Sequence, residues 1–174
     1  MGKSPILVTS DHITIIESSA IAAYLLRTDD TNGRFAASDW LHDEVLTSFA
    51  GATFGPVSAI ELLFHIAAKN TPWPLVYLMR AIRRAIQNSF TGPEFQKMMT
   101  YLETTLGDAD WFNGEELGRS DIMLSFPLDT AAQRGWIDLE KDYPKLALWR
   151  KRILERPAWK RGIEKGNGYD LASW

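Results

Sequence analysis

The residues best placed for chemistry lie within the first eighteen positions. Ile6-Leu7-Val8 and Ile13-Thr14-Ile15-Ile16 are short apolar, largely β-branched runs, and Glu17-Ser18-Ser19 stands where the second gives way to the helical pattern Ala20-Ile21-Ala22-Ala23-Tyr24-Leu25-Leu26. A helix N-terminus exposes backbone N–H groups that have no intrahelical partner, so it seats a small carboxylate. Glu17 beside it supplies the charge to hold an ammonium group. The two together suit a zwitterion such as the end of an amino acid.

Particular elements must hold those groups in place. The two apolar runs, at residues 5–8 and 13–16 and separated by Thr9-Ser10-Asp11-His12, read as a hairpin. Two strands alone are marginal in water, so they must rest on helices or pair with strands of another chain. Ser18-Ser19 is expected to cap a helix reaching about Leu26. A polar linker, Thr28 to Gly33, then marks a boundary.

Everything beyond the linker reads as helix. From Ala37 to about Ala52 the residues Trp40, Leu41, Glu44-Val45, Ser48-Phe49 and Ala52 recur at helical spacing, and Gly51 and Gly55-Pro56 are expected to kink or interrupt the helix. Val57 to Ala68 continues with Ile60, Leu63-Phe64 and Ala67. Asn70-Thr71-Pro72-Trp73-Pro74 is a breaker. Leu75 to Asn88 carries Leu75, Leu78-Met79, Ile82 and Ile86 on one side, with Arg80, Arg83 and Arg84 mostly on the other. Those arginines form a solvated face or, alternatively, an anion-binding one. Gly92-Pro93-Glu94 opens a helix striped by Phe95, Met98-Met99, Leu102 and Leu106, and Asn113-Gly114 is a turn. Asp121 to about Arg134 reads as the buried central helix despite Pro127. Helices follow at Tyr143-Pro144 and at Arg156-Pro157, and the tail with Tyr169, Leu171 and Trp174 is expected to fold back on the body.

Composition narrows the function. The 174 residues suffice for one good core or two small lobes, and 45% hydrophobic with 24% charged residues is ordinary for a globular protein. A net charge of −3 gives no reason to expect nucleic acid as a partner. The absence of cysteine excludes disulfides, thiolate-ligated metals and a cysteine nucleophile. The three histidines, His12, His42 and His65, show no metal spacing. No apolar run approaches the roughly 18 residues of a membrane span and no secretory leader is visible, so a cytoplasmic protein with no membrane partner is expected. Seven Trp and eight Phe are many for this length. Aromatics are core material first, but Trp40, Phe49, Phe54 and Trp73, with His42, are candidates for a weakly specified apolar substrate pocket; for His42 a structural role is the competing reading.

Lys3-Ser4-Pro5-Ile6-Leu7 followed by Glu17-Ser18-Ser19-Ala20-Ile21 resembles the second half of the glutathione-binding domain of the glutathione S-transferases. The likeness continues through Phe49-Ala50-Gly51-Ala52-Thr53-Phe54-Gly55-Pro56, through Trp111-Phe112-Asn113-Gly114 to Arg119-Ser120-Asp121-Ile122-Met123, and through Arg152 to Pro157. It implies a mainly α fold: a truncated thioredoxin-like part at residues 1–30, hairpin plus helix, and an all-α transferase C-terminal domain at residues 35–174. The first half of the thioredoxin-like domain, which carries the thiol-activating Tyr, Ser or Cys, is missing from this stretch, so the catalytic group is unassigned. The resemblance further implies that Pro5 follows a cis bond and that Ser4 offers its backbone to the cysteinyl part of glutathione. Glu17 and Ser18 would hold the γ-glutamyl end, and Lys3 the glycyl carboxylate. Where the family has Thr or Ser at the N-cap of the central helix, this chain has Gly118, and Asp121 keeps its half of the capping box.

The implied function is glutathione-dependent. Glutathione would be added to an apolar electrophile, possibly a conjugated alkene in fungal secondary metabolism, or would isomerise it by reversible thiol addition. A non-catalytic assembly module is the alternative. A homodimer is expected, formed through the hairpin half and the first long helices.

Overall fold

A computed structural model of the chain describes residues 5–166 and 168–172. Strands β1 (Ile6–Val8) and β2 (Thr14–Ile16) pair antiparallel, Ile6 opposite Ile16 and Val8 opposite Thr14. Thr9 closes the turn: its Oγ1 accepts the Ile13 N–H at 3.0 Å, and His12 takes a left-handed φ of 62°. Alternation sets Leu7 and Ile15, half-buried, on one face and exposed Ile6, Val8 and Ile16 on the other. Helix α1 (Ser18–Thr28) packs on β2 and on the central helix α6 (Arg119–Gln133).

The next two helices, α2 (Trp40–Ser48) and α3 (Gly55–Asn70), are one continuous rod joined by a π-helical turn, Phe49–Phe54. The expected interruption at Gly55-Pro56 does not occur. A second π-helical turn, Gln87–Thr91, joins α4 (Val76–Ile86) to α5 (Gly92–Leu106), again just before a Gly-Pro pair. The wider turn accommodates a proline whose ring and missing N–H would disrupt an α-helical ladder. At Gly92 a Cβ would stand 2.6 Å from the Gln87 carbonyl oxygen, so glycine is what lets this turn close.

The rod Trp40–Asn70 is 31 residues long and contains an 18-residue window of mean hydropathy 1.3, which by length and composition alone suffices to cross a bilayer. This departs from the expectation that no apolar run approaches a membrane span, because the π-helical turn carries the helix through Gly55-Pro56 and joins two apolar stretches. Its buried charges show how it is held instead. Asp43 accepts the Arg119 guanidinium at 2.8 Å and the Ser120 N–H at 2.9 Å, and Glu61 accepts Arg83 at 3.0 Å and the Thr91 hydroxyl at 2.7 Å. Asp43, Leu46, Thr47, Ala50, Phe54, Val57, Glu61 and Ala68 point inward. The apolar stripe read from the sequence therefore faces largely outward: Leu41, Val45, Leu63, Leu75, Leu78 and Ile82 are exposed. Arg83 is correspondingly half-buried and held by Glu61.

The helices α5, α6 and α8 (Pro144–Glu155) supply the core through Phe95, Met98, Met99, Leu102, Leu124, Leu128, Leu146, Trp149 and Ile153, on the stripes expected for α5 and α8. A short helix α7 (Leu139–Asp142), capped by Asp138, was not foreseen, and α9 (Pro157–Lys165) follows α8. Leu171 is buried and its N–H donates to Gln133 at 3.0 Å, while Tyr169 meets Trp159 edge to face, so the tail returns to the body. Trp174 lies outside the described residues.

Asp121, fully buried at the start of α6, gathers these pieces. One carboxylate oxygen accepts the Gly118 N–H at 2.9 Å; the other accepts the Phe112 N–H at 2.8 Å and the Trp149 indole N–H at 2.7 Å. Burial pushes its carboxyl above the ordinary carboxylate value, against the pull of these donors. Each donor stranded in the core costs about 1–3 kcal/mol. Asp121→Ala is therefore expected to lower stability by more than about 3 kcal/mol, read in urea unfolding by the fluorescence of the tryptophans. An unchanged midpoint would contradict this anchoring role.

Candidate functional site

The backbone departs from ordinary geometry at the point where β2 becomes α1. Glu17 occupies the N-cap of α1 with φ 72° and ψ 124°, a left-handed φ that a side chain with a Cβ rarely adopts and that costs on the order of 1–3 kcal/mol. Its side chain makes no capping bond. Ser18 is the first helical residue and not the cap that the sequence suggested. Glu17 and Ser18 are both exposed, and the N–H groups of the first turn of α1 lack intrahelical partners. A free carboxylate, a hydroxyl and a set of donors thus face solvent together. Pro5, one residue ahead of β1, is exposed. Lys3 and Ser4, and with them the Ser4–Pro5 bond, lie outside the described residues.

The α6 helix positions this corner relative to the helical body, because α1 leans on it and its first residues are bonded to α2. Asn113 completes the link. Its side chain accepts the Ser38 N–H at 3.1 Å and donates to the Ala36 carbonyl at 3.1 Å, and its own carbonyl accepts the Ser38 hydroxyl at 3.1 Å. The linker leading into α2 is thereby clamped to the loop before α6. A Cβ at Gly118 would stand 2.6 Å from the Asn113 Cβ. Gly118 is not merely a tolerated cap: the space of its missing side chain is filled by the clamp.

The expected pocket residues scatter. Trp40, the first residue of α2, is 74% exposed, and Asp39 caps the helix beneath it by accepting the Leu41 and His42 N–H groups at 2.9 and 3.2 Å. His42 is half-buried. Phe49 packs on the core with Tyr101 at 5.2 Å between ring centroids. Phe54 has no exposed surface and stands edge-on to Phe95 at 6.0 Å, so it is core and lines no open pocket. Trp73 is 78% exposed between α3 and α4. Of this set only Trp40 and His42 lie next to the clamp. The buried acids Asp43 and Glu61 were missed, and the signal for them was a carboxylate on the inward phase of an apolar helix.

Two substitutions test these constraints. Gly118→Ala is expected to destabilise the fold by about 1–3 kcal/mol, an overpacking penalty, and to lose much of that penalty in an Asn113→Gly background, which removes the Cβ it would strike; additive thermal shifts would refute the contact. Glu17→Gly is expected to leave thermal stability unchanged or raised, because glycine adopts the left-handed φ freely.

The C-terminal domain family of the glutathione S-transferases matches residues 84–157. Glutathione S-transferase 3 of Schizosaccharomyces pombe is 27% identical over 174 residues, covering 95% of this chain and 68% of the relative. Glutathione S-transferase 1 of Saccharomyces cerevisiae is 25% identical, covering 95% and 74%. Among solved structures, a glutathione transferase of Phanerochaete chrysosporium in complex with oxidised glutathione superposes with a TM-score of 0.74 at 21% identity, covering 94% of this chain and 73% of that one, a likeness of fold. The helical body, its buried Asp121 box and this span of similarity agree: the chain is similar to the glutathione S-transferases, and residues 84–157 match their C-terminal domain family.

Proposed function

We propose that the chain is a glutathione-dependent transferase that acts on an apolar electrophile. The observation that carries this reading is Glu17: strained backbone persists where a function requires it, and here it holds an unpartnered carboxylate beside the free N–H groups of a helix. That arrangement fits the γ-glutamyl end of glutathione. Glu17 takes the ammonium group, and the first turn of α1 with the Ser18 hydroxyl takes the α-carboxylate. Ser4 presents its backbone to the cysteinyl part, Pro5 turns it there, and Lys3 takes the glycyl carboxylate.

Glutathione supplies a thiol, which as the thiolate is the nucleophile. The protein holds it against an electrophilic carbon, and proximity provides much of the rate. As the sulfur–carbon bond forms, the electron pair of the acceptor's double bond moves onto its electron-withdrawing group, which then takes a proton from water. Run backwards after rotation about the new single bond, the same step yields a geometric isomer and returns the thiol. Trp40 and His42, beside the clamp, are the residues of the helical body we assign to the electrophile. The cytoplasm, rich in reduced glutathione, is the compartment this reading requires.

The outward apolar stripe on α2 and α3, with Leu41, Val45, Leu63 and Ile66 exposed, supports a homodimer formed on this rod. Sedimentation at micromolar concentration is expected to show the dimer, and Val45→Asp with Leu63→Glu to release a folded monomer.

Calorimetry with reduced glutathione tests the central claim. A charge-assisted hydrogen bond contributes about 1.5–3 kcal/mol, so Glu17→Gln should weaken binding about tenfold or more, with circular dichroism unchanged. Ser18→Ala should cost less, because the backbone donors remain. Unchanged affinity in both variants would move the site elsewhere. No binding by the native protein would leave the assembly-module reading.

A further inference from the structure

The α3–α4 hairpin carries a second polar site, on elements separate from the strands and α1. Residues 62–93 contain no aspartate or glutamate but include Lys69, Arg80, Arg83 and Arg84, in a chain whose net charge is −3. The fold gathers these cations. His65, Ala68 and Lys69 from α3 and Arg80, Arg83 and Arg84 from α4 line a single open cavity of about 420 Å³. No carboxylate is among these lining residues, and buried Glu61 of α3 already takes Arg83 and the Thr91 hydroxyl. Lys69, Arg80 and Arg84 have no ion-pair or hydrogen-bond partner among the described residues, and all three are exposed.

We infer that this cavity binds a compact, multiply charged phosphate-type anion from solution. Arg80 and Arg84 offer planar forks of N–H donors that match phosphate oxygens, and Lys69 adds a point charge. Arg83, held by Glu61, forms the fixed positive wall. His65 is a built-in reporter of that field. Burial, then Arg83, Arg134 and Lys69, hold its imidazole below the ordinary value, with Glu61 the opposing charge. An anion seated among these cations offsets their positive potential, so the His65 value is expected to rise on binding.

Sodium diphosphate is the probe. Titration calorimetry is expected to show saturable one-to-one binding that weakens with added sodium chloride. In an imidazole-resolved NMR pH titration the His65 value should move up on binding. Arg80→Gln combined with Arg84→Gln, both at exposed positions, should reduce the affinity at least tenfold with the circular dichroism spectrum unchanged. Binding that survives in this double variant, a His65 titration that does not move, or the lack of saturable binding would overturn the proposal. Vesicles of phosphatidylcholine containing phosphatidic acid form the second arm. Cosedimentation that depends on Arg80 and Arg84, without diphosphate binding in solution, would overturn the soluble ligand in favour of a lipid headgroup. Glutathione binding measured on the same double variant separates this site from the first: it should be unaffected.

Discussion

The buried carboxylate of Asp121 is the interaction on which the arrangement of the molecule depends. It satisfies the orphan N–H at the start of α6, the Phe112 N–H in the loop before α6 and the indole of Trp149 on α8. An apolar side chain there would leave the donors without acceptors in a region from which water is excluded, which is why a costly buried charge is retained. Because α6 is fixed, α1 and the rod that begins at Trp40 are fixed with it, the first by packing and the second through Asp43. The strained corner at Glu17 is thus held by a helix core that it does not touch through hydrogen bonds of its own.

Buried charge recurs as a means of joining helices. Asp43, Glu61 and Asp129 each meet an arginine from another helix, and in each pair the acid is more deeply buried than the base. Guanidinium groups reach inward from the surface on long stems and keep part of their hydration, so burial falls mainly on the short acid. The same choice frees apolar side chains to face outward on the rod and on α4. A helix whose polar residues point inward and whose leucines point outward is suited to a partner, and this chain devotes a 31-residue rod to that pattern.

Much of the fold was legible in the sequence because it obeys simple rules. Alternation and a polar turn gave the hairpin, and the stripes of α5 and α8 are buried where 3.6-residue spacing puts them. The corner at Glu17 was recognisable from its residue order, yet its left-handed backbone was not, since nothing in a glutamate's identity announces a positive φ. The phase of α2 to α4 was misread for a physical reason: hydrophobic periodicity identifies an apolar face but not what covers it. The π-helical turns were hidden behind Gly-Pro pairs that ordinarily signal a break. Gly118 looked like a lost hydroxyl, because the residue that fills its space, Asn113, is adjacent only in three dimensions.

That clamp shields a chemically labile pair of residues. Asn113 precedes Gly114, which has a left-handed φ of 100°, and an asparagine followed by glycine is the pair most prone to lose ammonia through attack of the next backbone nitrogen on the side-chain amide. Hydrolysis of the resulting ring would replace the amide by a carboxylate. The donor now facing the Ala36 carbonyl would become an oxygen, and the iso-aspartyl product would add a methylene to the main chain beneath Gly118. Burial of Asn113, the two hydrogen bonds of its amide and the Gly114 N–H held on the Trp111 carbonyl at 2.9 Å all oppose that attack, so the contacts that join the linker to the helical body also protect the amide that makes them.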